Sequence, residues 1–266
     1  MYLLAQLSDP HLVPPGSRLF DRIDTAAMLR AALTSVRMLT PRPQGLLLTG
    51  DIAAAGEPAA YAVLAELLRD WNGPVYLLPG NHDDRAALRA AFTAQPWMGA
   101  SGPIHYALDL DTYTLIVLDT LVPGAEHGEL DDAQLEWLAE AMATRRRQRI
   151  VIAMHHPPFA TAMPRLDAIG LRRGGETLAR LIMAHGGVAY IACGHVHRAI
   201  DTLWAGVSAG TAPSTAHQIA ADWTGRQSLA WTLEPAGYRV LALTPEGVVT
   251  HTLQAAQYAG PYPYAD

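Results

Sequence analysis

The chain has 266 residues, half of them hydrophobic, and a formal charge of −6 at neutral pH. That length can bury one large core without covalent cross-links, and the acidic balance argues against a general nucleic-acid-binding surface, which is basic as a rule. One cysteine, Cys193, excludes an intramolecular disulfide and fits a reducing compartment. At the end of an apolar run it reads as a small buried hydrophobe. No run approaches the roughly 18 apolar residues of a membrane span, and the first residues lack the basic flank of a signal peptide. A soluble, cytoplasmic protein is expected.

In chain order, the hydrophobic pattern predicts a strand at 2–7 and a helix at 23–39 stopped by Thr40-Pro41. A strand at 46–48 and a helix at 58–68 follow, the helix with proline in its first turn, where the missing N–H costs nothing. A strand at 75–78 and a helix at 85–92 complete a β-α-β-α-β-α alternation, which favours parallel strands joined by crossover helices. Residues 113–118 are β-rich, and Asp131 with Gln134 makes a capping-box pattern before a helix reaching 142. The basic run 145–149 follows that helix, where cations favour the dipole, and reads as a solvated helix end rather than a nucleic-acid patch.

A strand is predicted at 150–154, then a long loop at 157–175 in which proline, glycine and arginine interrupt any periodicity. A helix at 176–184 is closed by Gly186-Gly187, and a strand follows at 188–193. Beyond Gly210, strand-like segments at 228–233, 238–243 and 248–253 look like a second sheet. Repeats and linkers are absent, so 1–266 reads as one domain with room for a small cap or dimerisation element. Its aromatic tail, Tyr258, Tyr262 and Tyr264, suits docking on the domain or on a partner subunit.

Five short motifs fall just after the predicted strands: Asp9-Pro10-His11, Gly50-Asp51, Gly80-Asn81-His82-Asp83, His155-His156 and Gly194-His195-Val196-His197. Loops beyond strand C-termini of an open α/β sheet converge on one crevice, so distant residues can meet there. In Asp9-Pro10-His11 and His195-Val196-His197 the ligand-type side chains are two residues apart, which on extended backbone places them on the same side. Pro10 is expected to hold Asp9 extended. Singly each motif is weak. Together, carboxylates, imidazoles and a carboxamide at one sheet edge would repel or go unsatisfied without cations, which points to a dinuclear metal centre.

The motif set resembles the calcineurin-like metallophosphoesterase superfamily, and the match spans Asp9 to His197. Within it, the runs 80–84, 154–158 and 193–197 resemble the bacterial class III cyclic nucleotide phosphodiesterases and the related glycerophosphodiesterases. The tail at 257–261 is similar to the glycerophosphodiesterase type, whereas Gly56-Glu57-Pro58 and the segments 122–124 and 127–129 are closer to the cyclic nucleotide enzymes. The run after Asp51 lacks the D-R-G of the protein phosphatases, Asp83 stands where those enzymes carry glutamate, and Ala54 stands where purple acid phosphatases carry tyrosine.

The resemblance implies a four-layer α/β/β/α sandwich with the active site at the strand ends. It places Asp9, His11 and His197 on a first divalent metal, Asn81, His156 and His195 on a second, and Asp51 as the bridge. Such a donor set suits Mn(II), Fe(II), Co(II) or Zn(II). Two dications against Asp9, Asp51 and a hydroxide leave a charge of about +1, matched to a phosphodiester monoanion. The expected reaction is hydrolysis of a small phosphodiester, such as a 3′,5′-cyclic nucleotide, to a phosphomonoester by metal-generated hydroxide. A glycerophosphodiester is the alternative substrate.

By the same resemblance, catalysis rests on Asp51 and His82, the latter as acid to the leaving alkoxide, and Asn81, His82 and His217 contact substrate. Asp119 is expected to support the site from behind. His127, in a glycine-bearing loop, is a further candidate for substrate contact, while Arg165, Arg172 and Arg173 read as solvated loop residues. His105, His185 and His251 have no ligand-like context. A homo-oligomer is implied, with the helices at 23–39 and 58–68 as its interface; a nucleic-acid polymer or a membrane is not an expected partner.

Overall fold

Most of the expected elements form where the pattern places them, and three aspartates set helix starts. The computed structural model describes residues 1–260 and 262–264; Pro261, the end of the tail motif, lies outside them. The first third contains β1 (Tyr2–Leu7), α1 (Thr25–Arg37), β2 (Gly45–Thr49), α2 (Pro58–Leu67), β3 (Val75–Leu78) and α3 (Arg85–Ala91). Next come β4 (Tyr106–Leu110), β5 (Tyr113–Val117), β6 (Gly128–Glu129), α4 (Asp132–Ala143) and β7 (Arg149–Ala153). They are followed by α5 (Pro164–Asp167), β8 (Leu171–Arg173), α6 (Gly175–His185) and β9 (Val188–Cys193). The last part is all strand: β10 (Ile200–Trp204), β11 (Val207–Thr211), β12 (Gln218–Ile219), β13 (Trp231–Thr232), β14 (Gly237–Leu243) and β15 (Val248–Gln254).

Asp24, Asp84 and Asp131 accept hydrogen bonds from the backbone N–H of Ala27, Ala87 and Gln134, satisfying donors that α1, α3 and α4 would leave orphaned. The capping box at Asp131 is only half formed. Gln134 turns its amide to the Asp119 backbone instead, accepting from its N–H and donating to its carbonyl, both at 2.8 Å.

Two sheets carry the fold. One has the order β15-β14-β1-β2-β3, the other β10-β11-β9-β7-β5-β4. In the first, β1, β2 and β3 are parallel; in the second, β5, β7, β9 and β11 are parallel. Alternation then sorts the side chains. From β7, Val151 and Ala153 face the core shared with β1, β2 and β3, while Ile150 and Ile152 pack on Leu135, Leu138 and Met142 of α4 and on Leu178 and Ile182 of α6. On the far side, Leu29, Leu33 and Val36 of α1 and Tyr61 and Leu64 of α2 cover the first sheet. Each such buried aliphatic side chain contributes about 1.5–3 kcal/mol. The result is the expected four layers, α/β/β/α.

Polar clasps join the two sheets. Gln6 Nε2 donates to the Cys193 carbonyl at 2.9 Å. Fully buried Arg239 of β14 pairs with Asp201 Oδ1 and Oδ2 at 2.5 and 2.9 Å and donates to the Tyr190 hydroxyl at 3.1 Å. Asp201 thereby keeps the buried guanidinium from standing uncompensated.

Four expectations require correction. The segments at 238–243 and 248–253 do not begin a second sheet: β14 adds antiparallel to β1 and β15 to β14. All seven residues of β14 are buried, which only an interior strand of a sandwich satisfies. Residues 228–233 supply only β13, which pairs with β12 as a short ribbon. The loop at 157–175 contains α5 and β8. Finally, Tyr258, Tyr262 and Tyr264 are 65–98% exposed, so of the two alternatives for the tail the one on the domain is not met. No helix among the described residues is long and apolar enough to cross a membrane.

Candidate metal centre

Strands β1, β2, β3, β7 and β9 all deliver their motifs to one edge, as the pattern predicts, but the backbone does so in a different way. Asp9, His11, Asp51, His195 and His197 have φ of 51°, 44°, 47°, 71° and 53°. These are left-handed, not extended, conformations, rare for residues with a Cβ and concentrated at functional sites. Asp9 is therefore not held extended by Pro10. Its side chain and that of His11 converge because both backbones turn sharply at the strand exit.

The glycines of two motifs make room for this. A Cβ on Gly80 would collide with Asp51 Oδ1, and one on Gly50 (φ +89°) with the His155 ring and, at 2.8 Å, with the Gly80 amide. Asp83 then ties the two loops together. Its buried carboxylate accepts from the amides of Ile52, Ala53 and Gly80 at 3.1, 2.9 and 2.8 Å and from the Tyr61 hydroxyl at 2.9 Å. Burial, followed by the nearby Asp51 charge, pushes its pKa up to about 6 against these bonds.

Donor atoms gather in two groups, Asp9, His11, Asp51 and His197 in one and His155, His156 and His195 in the other, each within 4.8 Å. Asp51 Oδ2 stands between them, 3.6 Å from His11 Nε2 and 3.4 Å from His155 Nε2. Its other oxygen accepts from the His82 amide at 2.9 Å. His155 Nε2 is also 3.2 Å from Asn81 Oδ1, and His197 Nε2 is 3.5 Å from Asp9 Oδ1.

Tautomers follow from the outer hydrogen bonds, because a carbonyl only accepts. His155 Nδ1–H donates to Thr49 O at 2.8 Å and His197 Nδ1–H to His217 O at 2.9 Å. In their neutral forms both rings thus direct an Nε2 lone pair inward, the arrangement by which metal-ligating histidines are oriented. The Nε2 of His195 is buried without any partner.

Lone pairs facing carboxylate oxygens and one another need a positive charge between them. The acid–base balance registers that demand. Burial would lower His155, yet Asp51 beside it raises its pKa to about 9. For Asp51, burial is likewise overcome by His155 and His11, holding it well below the usual carboxylate range. Burial keeps His11 and His195 neutral down to about 3. The donor set therefore fits two divalent cations.

The sequence-predicted residues Asp9, His11, Asp51, Asn81, His195 and His197 are all brought together here. His156 stands in the second donor group, as expected, but its ring nitrogens already have protein partners. Its Nδ1 accepts from the Thr120 hydroxyl at 2.8 Å and its Nε2–H donates to the Glu126 carbonyl at 3.2 Å, so both nitrogens are used by the protein. Its ring packs where Gly128 leaves no Cβ. His155, the preceding residue, is the one that points between Asp51 and Asn81. The pattern of two adjacent histidines carries no signal as to which turns inward.

The donors open on a cavity of about 370 Å³. His82 and His217 line it, His82 with its Nδ1–H donating to Ala54 O at 2.8 Å and so with Nε2 left for the cavity. The charged residues in the lining are Asp51 and Glu126, with no arginine among them, so an anion would be repelled unless cations stood at the floor. The opposite wall is apolar and includes Phe20, Ile219, Leu229 and Trp231, which the motifs did not anticipate. Asp119 does not reach the centre: it receives Arg85 at 2.6 and 2.8 Å and the amides of Ile104 and Leu121. His127 pairs with Glu129 at 3.3 Å and, like Arg165, Arg172 and Arg173, is outside the cavity lining.

Comparison with known proteins agrees with this geometry. Residues 2–199 match the calcineurin-like phosphoesterase family. The chain is 29% identical over 263 residues to the probable glycerophosphodiester phosphodiesterase GpdQ of Arcobacter nitrofigilis, covering 98% of this chain and 96% of the relative. It is 30% identical to the 3′,5′-cyclic adenosine monophosphate phosphodiesterase CpdA of Escherichia coli, covering 93% and 87%. Among solved structures, a dimetal phosphatase from Danio rerio superposes with a TM-score of 0.67 at 16% identity, covering 96% of this chain and 99% of that one, and so shares the fold. The protein belongs to the calcineurin-like phosphoesterases.

Proposed function

We propose that this protein is a metal-dependent phosphodiesterase that hydrolyses small phosphodiesters, 3′,5′-cyclic nucleotides such as cyclic AMP foremost, to phosphomonoesters. The observation that carries the reading is the position of Asp51 Oδ2, within 3.6 Å of His11 Nε2 and 3.4 Å of His155 Nε2, as a bridge between two donor groups. Asp9, His11 and His197 would hold one cation, and Asn81, His155 and His195 the other, with Asp51 shared. When bound, two divalent cations lower the pKa of water to supply a nucleophile and offset charge on the attacking and leaving oxygens. Manganese, iron, cobalt and zinc all suit these donors.

The chain's own residues supply orientation and the second proton. Thr49 O and His217 O hold the His155 and His197 rings in their tautomers. Asp83 fixes the loop that carries Asn81 and His82. His82, anchored through Nδ1–H to Ala54, presents Nε2 to the cavity, where as imidazolium it donates a proton to the departing alkoxide. His217 lines the same cavity and contacts the substrate alongside Asn81.

A glycerophosphodiester is the second reading, favoured by the relative named for that activity, which matches nearly the whole chain. Cytoplasmic residence and a homo-oligomeric state belong to the proposal, as does the exclusion of nucleic-acid polymers and membranes as partners. The test is kcat/KM for cyclic AMP beside glycerophosphoethanolamine on Mn(II)-reconstituted protein. A preference of several tens-fold for cyclic AMP supports the first reading and the reverse preference the second. Hydrolysis that survives full chelation would overturn both.

A further inference from the structure

We infer that Phe20 and Trp231 form a stacking wall that selects substrates carrying a planar aromatic base, an inference that rests on the phosphodiesterase reading and narrows its substrate class. The two rings lie nearly parallel, 10° apart with centroids at 5.2 Å, and both line the cavity above the metal-ligand residues. They come from segments 211 residues apart, one in the loop after β1 and the other in the β12–β13 ribbon, so their pairing is a tertiary arrangement. Phe20 has φ of 53° and remains 51% exposed. Phe20 thus keeps a large apolar ring half in water at the cavity mouth, on a backbone conformation rare for a residue with a Cβ and concentrated at functional sites.

Position tells what the wall would meet. His217 connects the wall to the centre: its ring is 5.5 Å from Phe20 and 5.4 Å from His11, centroid to centroid. Phe20 and Trp231 both stand nearly perpendicular to it, at 78° and 77°. The cavity is thus two-sided, with the metal-ligand residues at one end and a flat aromatic surface one imidazole away. A purine attached through ribose to a phosphodiester matches both ends. A glycerol or ethanolamine ester matches only the first, having no flat face to offer. Base–aromatic stacking tolerates any base, so the wall selects for a base without reading which one.

The test compares two phosphomonoesters that differ by the base, AMP and ribose 5-phosphate, as competitive inhibitors of the Mn(II)-reconstituted protein acting on a diester. For the native chain AMP is expected to inhibit at least about 10-fold more tightly, the scale of one base–aromatic stack. Phe20→Ala is expected to remove that advantage while leaving the ribose 5-phosphate constant unchanged, and Phe20→Tyr to restore it. The half-exposed position of Phe20 makes loss of folding an unexpected outcome, and a thermal melt checks it. Equal inhibition by the two ligands in the native chain overturns the inference, as does equal weakening of both in Phe20→Ala. In either case metal-dependent diester hydrolysis would persist and the proposed function would stand. Loss of all diesterase activity from the native protein would instead remove the reading on which the wall depends.

Discussion

Replacing each of the two adjacent histidines separates the ligand from its neighbour. His156 is fully buried, with Thr120 Oγ1 at 2.8 Å and the Glu126 carbonyl at 3.2 Å as its partners. His156→Ala strands both groups, at about 1–3 kcal/mol each for a buried polar atom left unpaired. A loss near 3 kcal/mol lowers Tm by roughly 6–12 °C in a chain of this size. The metal donors are untouched, so two equivalents of metal should still bind. His155→Ala removes the nitrogen 3.4 Å from Asp51 Oδ2 and 3.2 Å from Asn81 Oδ1. One metal should then be lost, and activity should fall by at least about 10²-fold, the upper end of what the loss of a mere supporting partner costs. The assay is elemental analysis after equilibrium dialysis against Mn(II), paired with a thermal melt. If His155→Ala retained two metals while His156→Ala retained one, the inward assignment of His155 would be refuted.

Three further outcomes are expected. Asp51→Asn preserves size and an acceptor for the His82 amide but removes the shared negative charge; metal stoichiometry should fall below two and kcat/KM by more than about 10²-fold, checked on the same dialysed samples. His82→Ala should slow alkyl diesters by roughly 10²–10⁴-fold and nitrophenyl diesters far less, because a good leaving group needs no acid; equal losses would remove the proton-donor role. Tyr61→Phe deletes the hydroxyl that donates to Asp83 and accepts from the Asp84 amide at 2.9 and 2.8 Å. It should cost about 1–3 kcal/mol by chemical denaturation, with metal stoichiometry intact.

Much of the fold was legible because hydrophobic period and strand-end motifs are local properties. The alternation from β1 to α3 and the positions of Asp9, Asp51, Asn81 and His195 follow from residue order alone. Local pattern failed where a segment's environment came from elsewhere. β14 carries Arg239 within an apolar run, and only the contact with Asp201 and Tyr190 shows that this charge lies in a sandwich interior. The short β11 took its place from pairing with β9, and β10 from pairing with β11, not from alternation of their own.

Within the centre, composition determined that carboxylates and imidazoles would crowd one edge and require cations, since such groups cannot share a dry site unpaired. Which groups turn inward was a tertiary matter. His155 and His156 are chemically alike and adjacent; Thr120 and the Glu126 carbonyl capture one, leaving the other for Asp51. The left-handed backbone at Asp9 and His11 was equally hidden, because it is held by bonds to the Asp51 loop, Asp9 N–H to Gly50 O at 3.1 Å and His11 N–H to Asp51 O at 3.0 Å. The aromatic wall left no trace in any motif, since Phe20 and Trp231 meet only after the β12–β13 ribbon folds over the strand ends. Chemistry that depends on residue type is written along the chain; direction and proximity come from packing between segments that the chain keeps far apart.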